Sequence, residues 1–190
     1  MQLEQSFELP FPRAAVWTAF QDIPMLVTCL PGASLTSAPG ASPLVFTLAV
    51  KLGPVAAKFA GEGNVTYGED HQGLLSGSGA DRATGSRVKG SAAFSLHEAA
   101  GGTRVDLLID YTLTGTLAQF GRTGIVKELA AGITRQFAAN LQARLGTDVA
   151  AATGGASAMQ SAPAAPAPLN GGALLWRVLW SRLKRLFGMA

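Results

Sequence analysis

The sequence predicts an α+β fold in which one long helix packs against a single curved antiparallel sheet. Three observations lead to this prediction. Several stretches between residues 44 and 113 alternate apolar and polar side chains with a period of two, which is typical of half-buried strands. Glycine and proline turns separate these stretches, so that neighbouring strands form hairpins. A single apolar stripe at i, i+4 spacing follows them and indicates the long helix.

The chain begins with a predicted strand and two short helices. Residues 3–9 place their apolar side chains on one face of the strand. Pro12 stands at a favourable first-turn position of the first helix. Asp22 is suited to cap a second helix, which runs to Leu30 and ends at Pro31 and the glycine after it.

The remaining strands form the body of the sheet, for which we expect about six to seven strands in total. Alternation predicts them at 44–52, 55–67, 71–79, 87–97 and 103–113. The stretch 71–79 has the weakest pattern because three glycines interrupt it.

The long helix is predicted over residues 117–145. Its unbroken apolar stripe consists of Leu129, Ile133, Phe137, Leu141 and Leu145. One such helix on one face of a curved antiparallel sheet is the helix-grip arrangement.

Composition divides the chain into three parts. Residues 1–146 are predicted to form the helix-grip domain, which binds a hydrophobic ligand and in which acidic and basic residues balance. Residues 147–172 are rich in Ala, Gly and Pro and show no periodicity, which predicts a disordered linker. Residues 173–190 are a basic, aromatic tail, whose four basic residues, offset by Asp148 of the linker, account for the net charge of +3.

Composition and charge also exclude several classes of protein. The domain lacks the basic face of a nucleic-acid-binding protein, because the positive excess lies in the tail. A single cysteine, Cys29, excludes a disulfide framework. No apolar run reaches the roughly 18 residues of a spanning helix. The first residues lack the basic and apolar regions of a secretory signal, so we expect an intracellular protein.

The inner face of the predicted sheet mixes aromatic side chains with unusually small ones. Small residues on a concave face leave space beneath a helix, whereas a solid sheet would carry Val, Ile or Leu. We therefore expect a cavity for an apolar ligand. The predicted lining is Leu30, Phe46, Phe59, Gly63, Tyr67, Gly90, Ala92, Phe94, Tyr111, Leu113, Phe120, Ile133 and Phe137. The alternative is that the glycines mark bulges and twist, with the helix settling closer to the sheet.

Residues suited to catalysis or metal binding are sparse. His71 falls in a predicted turn and His97 on an outward face, and neither has a serine or cysteine at a recognised spacing. The inner face offers no carboxylate for general acid–base chemistry, and the sequence contains no cluster of metal ligands. We expect neither a catalytic residue nor a metal site.

The tail is predicted to form an amphipathic helix over residues 173–188. Its apolar arc, roughly 140° wide, consists of Leu175, Trp176, Leu179, Trp180, Leu183, Leu186 and Phe187. Its basic residues are Arg177, Arg182, Lys184 and Arg185. Such a helix is only about 24 Å long, short of the roughly 30 Å hydrocarbon core, so we expect it to lie on the membrane surface. A groove on a partner protein, or the domain itself, is the alternative binding site.

Short motifs follow one another in a fixed order over most of residues 1–145. They are Val16-Trp17, Asp22-Ile23-Pro24, Cys29-Leu30-Pro31-Gly32, Gly53-Pro54-Val55, Gly85-Ser86-Arg87-Val88-Lys89-Gly90 and Gly115-Thr116-Leu117-Ala118-Gln119-Phe120-Gly121. Their order and spacing resemble the carbon monoxide dehydrogenase G-subunit family, part of the helix-grip superfamily that includes START domains and polyketide cyclases.

This resemblance implies a non-catalytic accessory protein that recruits a molybdenum hydroxylase of the carbon monoxide dehydrogenase type to the cytoplasmic membrane. It also implies a quinone or lipid in the cavity, which would link the enzyme to the respiratory chain. We therefore expect a peripheral protein on the inner face of the cell membrane, without a covalent cofactor. The alternatives are a docking adaptor without a ligand and a small cyclase-like enzyme on the same fold.

Overall fold

The computed structural model describes residues 1–52, 55–121 and 124–154; the greater part of the predicted linker and the whole predicted tail helix lie outside these residues. The elements are β1 (Gln2–Leu9), α1 (Arg13–Gln21), α2 (Ile23–Cys29), β2 (Ala33–Leu35), β3 (Leu44–Leu52), β4 (Val55–Tyr67), β5 (Gln72–Asp81), β6 (Ser86–Ala99), β7 (Gly102–Thr114), α3 (Ala118–Gly121) and α4 (Ile125–Gly154). Residues Met1–Ala152 form one compact unit.

The seven strands form one antiparallel sheet in the order β1-β7-β6-β5-β4-β3-β2. Consecutive strands from β2 to β7 are hydrogen-bonded neighbours, and β1 closes the series by pairing with β7, where Phe7 lies opposite Val105. This sheet with its helices confirms the α+β helix-grip prediction. The short strand β2 is not among the predicted strands, since three residues are too few for a detectable alternation.

The two short helices after β1 begin and end at the predicted signals. Pro12 precedes α1, and the Asp22 carboxylate accepts a hydrogen bond of 3.0 Å from the backbone N–H of Met25 at the start of α2. The chain leaves α2 through Gly32, whose φ of 78° lies in the left-handed region that favours glycine. Local sequence chemistry therefore determines both helices.

The long helix differs from the prediction at both ends. The apolar stripe predicts one element over 117–145, but the structure has the short α3 and then α4, which begins at Ile125. Glycines at 121 and 124 favour this interruption because glycine is a poor helix former. At its other end α4 continues to Gly154, eight residues into the predicted linker. Residues 150–152 are alanines and the first proline comes only at 163, so nothing ends the helix earlier.

Glycines line up across the inner face of β4, β5 and β6. Gly61 pairs with Gly79, and Gly63 pairs with Gly77. A Cβ on Gly61 would collide with the carbonyl oxygen of Ser78, and a Cβ on Gly63 would lie 2.8 Å from that of Ser76. These glycines allow the neighbouring strands to approach closely. The alternative interpretation of the glycines, which takes them as features of the backbone rather than as empty space, is therefore supported at Gly61.

Gly61→Ala is expected to destabilise the protein by about 1–3 kcal/mol, because one strand must shift to admit the added methyl group. Gly132→Ala is the matched control. A Cβ at Gly132 in α4 meets no atom within 4 Å, and alanine is preferred in a helix by about 1 kcal/mol, so this variant should gain stability. Urea unfolding measures both effects. A Gly61→Ala protein as stable as the wild type would contradict the close-approach explanation.

The apolar core consists of two clusters that lie under opposite ends of α4. The first core cluster contains Leu9, Val16, Ala19, Phe20, Cys29, Leu96, Val105, Leu141 and Leu145. The second core cluster contains Ala57, Phe59 and Leu117, with Val50, Val55, Val88, Leu113, Phe120, Ile125, Val126 and Leu129 packed against it. The first turns of α4 therefore pack on the second cluster and its later turns on the first. Ile133, in the turn between them, belongs to neither cluster, whereas Phe137 packs against the first.

Candidate functional site

An apolar cavity of about 290 Å³ lies beneath the middle of α4, between the two core clusters. Its walls come from α1, α2, six strands and α4. They consist of Phe20, Ile23, Leu26, Val27, Leu30, Ala33, Leu35, Leu44, Phe46, Leu48, Gly63, Val65, Leu75, Ala92, Phe94, Leu107, Ile109, Ile133, Thr134 and Phe137. The i, i+4 stripe of α4 thus serves two purposes, because its ends pack into the core and its middle covers the cavity.

The structure brings part of the predicted cavity set together. The residues that line the cavity are Leu30, Phe46, Gly63, Ala92, Phe94, Ile133 and Phe137. Phe59, Leu113 and Phe120 belong instead to the second core cluster. Phe59 and Leu113 share the inner face with the cavity residues, but they lie further along the sheet, where Phe120 of α3 and the start of α4 fill the space. The alternation of apolar and polar residues identifies which side chains lie on the inner face of the sheet. It does not tell which of them lie beside the cavity and which lie in the core.

Three further predicted residues stand apart from the cavity. A Cβ on Gly90 would lie 2.5 Å from the Asp110 carbonyl oxygen and 3.3 Å from the Tyr111 side chain, so Gly90 serves the contact between β6 and β7. Tyr111, its cross-strand partner, does not line the cavity either. Tyr67 lies at the end of β4, past Val65, where α1 covers the sheet.

Tyr67 belongs to an aromatic group that holds α1 on the sheet. Its hydroxyl donates a 2.9 Å hydrogen bond to the carbonyl oxygen of Phe20, and partial burial raises its pKa. The Trp17 ring meets Tyr67 edge-on at 5.7 Å between ring centroids and His71 at 5.3 Å. His71 therefore has a packing partner, and these contacts give Tyr67 and His71 structural roles.

Helix α2 and Leu30 at its C-terminal end form one wall of the cavity, and only Leu30 is among the predicted lining residues. Ile23, Leu26, Val27 and Leu30 follow the i, i+3, i+4 spacing of one helical face, a signal present in the sequence. The Asn140 side chain of α4 donates a 2.8 Å hydrogen bond to the carbonyl oxygen of Cys29, which fixes the end of α2 against α4. Burial raises the pKa of the Cys29 thiol, so this cysteine packs as an apolar side chain.

The wall of the cavity is almost entirely apolar. Among its described lining residues, Thr134 is the only one with a polar side chain, so no acid–base pair faces the space. His97 lies on the outer face, exposed, 3.1 Å from Ser95 Oγ and 3.6 Å from an Asp106 carboxylate oxygen. The described residues contain no group of three or more potential metal ligands.

Within the described ranges, the helices are all too short or too polar to cross a membrane. The predicted membrane-surface helix lies outside those ranges, so its prediction stays a prediction.

A family model for the carbon monoxide dehydrogenase G subunit (CoxG) matches residues 6–146 of this chain. No curated protein matches this chain. A conserved protein from Geobacillus kaustophilus has a similar structure, with a TM-score of 0.65 and 18% identity, over 77% of this chain and 96% of the other. A protein from Thermus thermophilus has a TM-score of 0.57 and 16% identity, over 78% of this chain and 99% of the other. The Zhui aromatase/cyclase from Streptomyces sp. R1128 has a TM-score of 0.55 and 11% identity, over 80% of this chain and 97% of the other. At these identities the likeness shows the fold alone.

Proposed function

Since this chain belongs to the carbon monoxide dehydrogenase G-subunit family, we propose that it is a non-catalytic accessory protein of a carbon monoxide dehydrogenase-type molybdenum hydroxylase. It recruits the enzyme to the inner face of the cytoplasmic membrane and carries a quinone or another lipid in its cavity. A quinone reduced to its quinol in the complex would pass the enzyme's electrons to the respiratory chain.

The apolar cavity under α4 is the observation that carries this proposal. A folded domain of this size normally fills its interior, so an apolar space of about 290 Å³ indicates a ligand site. No charged side chain is among the described lining residues. A charged head group would lose its hydration there without a partner, which favours an uncharged ligand.

The cavity volume also limits how the ligand is held. Ligand pockets commonly measure about 300–1,000 Å³, and this cavity lies at the lower end of that range. It has room for a ring or a short chain. The rest of a long isoprenoid or acyl chain would extend out of the cavity, where it could remain in contact with a membrane.

The tail supports the membrane part of the proposal through its composition. Its predicted apolar arc carries Trp176 and Trp180, and the four basic residues among Arg177–Arg185 would each add about 1 kcal/mol on an anionic leaflet. Tail and cavity together would place an apolar ligand site beside the bilayer that supplies the ligand.

Two alternatives differ from this proposal in the role of the cavity. A pure docking adaptor would leave it empty, and a cyclase-like enzyme would need converging polar groups that activate a substrate. The Zhui aromatase/cyclase shows that a fold of this type can belong to an enzyme. The lining here offers a single hydroxyl, which favours a carrier over a cyclase.

Solvent extraction of the purified full-length protein, followed by mass spectrometry, tests the ligand. We expect a quinone or neutral lipid in nearly equimolar amount, because the apolar cavity would retain it during purification. A well-folded protein that yields no such molecule, even when isolated from membranes, would support the adaptor instead.

A further inference from the structure

Thr134 is an isolated polar group in an apolar site. It lies in the middle of α4, beside Ile133 and one turn before Phe137, and its residue surface is only 8% exposed. Neither a hydrogen bond nor an ion pair joins its side chain to another described residue.

Other threonines in helices of this chain behave differently. Thr18 donates its hydroxyl hydrogen to the carbonyl oxygen of Ala14 at 3.0 Å, and Thr147 donates to that of Ala143 at 2.9 Å. This bond to the preceding turn is the usual way in which a helical threonine satisfies its hydroxyl. Thr134 lacks it, although the carbonyl of the preceding turn is available to any α-helical residue.

The unbonded hydroxyl must also reach open space. Among the described residues, no buried side-chain oxygen or nitrogen is both sealed from solvent and without a partner. Because Thr134 has no partner among these residues, its oxygen keeps some accessible surface, and Thr134 is one of the residues that line the cavity. A hydroxyl held in apolar surroundings without a partner is unfavourable, and a ligand with a hydrogen-bonding oxygen would remove that penalty.

We propose that Thr134 Oγ1 is the polar anchor of the cavity and that it selects an uncharged, apolar ligand carrying a carbonyl or hydroxyl oxygen over a pure hydrocarbon of the same shape. This inference rests on the proposed ligand-carrying function and defines the chemistry of the ligand. The anchor lies in the part of α4 that covers the cavity, so it fixes which end of the ligand is held under the helix.

A pair of probes that differ only in their oxygens tests the anchor on the full-length protein after its lipids have been removed. The probes are 2,3-dimethyl-1,4-naphthoquinone, whose thiol-reactive ring positions are blocked, and 2,3-dimethylnaphthalene. Titration calorimetry gives their affinities for the wild type, Thr134→Val and Thr134→Ser. We expect Thr134→Val, which has nearly the same shape, to weaken quinone binding about three- to tenfold, the worth of one neutral hydrogen bond. Hydrocarbon binding should not weaken, and Thr134→Ser should keep the preference for the quinone.

Thermal unfolding of the ligand-free proteins separates an anchor from a structural hydroxyl. Thr134→Val should raise the melting temperature, because it removes a buried hydroxyl that has no partner. A lower melting temperature, or unchanged quinone affinity in Thr134→Val, would overturn the anchor while the carrier function stands. Failure of both probes to bind the wild type would overturn the carrier proposal and the anchor with it.

Discussion

Ala92→Phe is expected to abolish binding of an apolar ligand while the protein stays folded. Ala92 lies on the inner face of β6 between its cross-strand partners Leu75 and Ile109, and all three line the cavity. A phenyl ring at this position would enter the space that the ligand needs. Since that space is empty in the ligand-free protein, the substitution should cost less than the roughly 1–3 kcal/mol of ordinary overpacking.

Ala93→Phe is the matched control because the next residue of a strand faces the opposite side of the sheet. Its cross-strand partners Leu74 and Leu108 are both exposed on the outer face, so the same ring added there leaves the cavity unchanged. Binding of the extracted ligand, or of the dimethylnaphthoquinone, measures the difference between the two variants. Normal binding by Ala92→Phe, or its unfolding while Ala93→Phe stays folded, would contradict a ligand site at this place.

Gly63→Leu would be a poor probe of the cavity. Gly63 does line the space, but its first added carbon would lie 2.8 Å from the Ser76 carbonyl oxygen. The variant would therefore disturb the pairing of β4 with β5 whether or not a ligand binds.

Deletion of residues 173–190 is expected to move the protein from the membrane fraction to the soluble fraction without unfolding the domain. The described compact unit ends at Ala152, well before the deleted segment. The apolar arc of the tail should supply most of the binding energy, since each large apolar side chain contributes about 1.5–3 kcal/mol when fully buried and part of that in an interface. Liposome flotation of the intact and shortened proteins measures the loss.

Two variants separate the contributions to tail binding. Trp176→Ala combined with Trp180→Ala should weaken liposome binding at low and high salt, because burial of apolar surface is not screened. Neutralising Arg177, Arg182, Lys184 and Arg185 together should weaken it mainly on anionic liposomes at low salt. A shortened protein that still floats with liposomes would refute the anchor. Binding of the intact tail to the partner enzyme alone would assign it to a protein groove.

The strands and short helices are predictable because their signals are local. Period-two alternation indicates the inner faces of β3, β4, β6 and β7, and Asp22 marks the start of α2 through a single capping bond. The short β2 and the extension of α4 to Gly154 escape such a prediction. In the first case the pattern is too short. In the second, the general composition of the segment suggests a linker and hides the helix preference of an alanine run.

The cavity is harder to place because its position depends on tertiary contacts. Phe59 and Phe46 face the same side of neighbouring strands, yet Phe59 is buried in the second core cluster and Phe46 lines the cavity. What separates them is the part of α3 or α4 that lies above each, which no local pattern reports. Thr134 does not stand out in the sequence because the residue type reports neither its burial nor its hydrogen bonding, and its missing hydrogen bond is visible only in the structure.

The division of α4 between core and cavity also bears on how such a protein can change over generations. Leu141 and Leu145 hold the helix in the first core cluster, whereas Ile133 lines the cavity and Phe137 both lines the cavity and packs against that cluster. Under the proposed carrier function, selection for stability would act most directly on Leu141 and Leu145, and selection for cargo on Ile133. Substitutions in the middle turns can adapt the space to a new cargo while the leucines at 141 and 145 preserve the fold. A chain with the proposed carrier function could then follow a change of ligand by point mutation, without rebuilding its architecture.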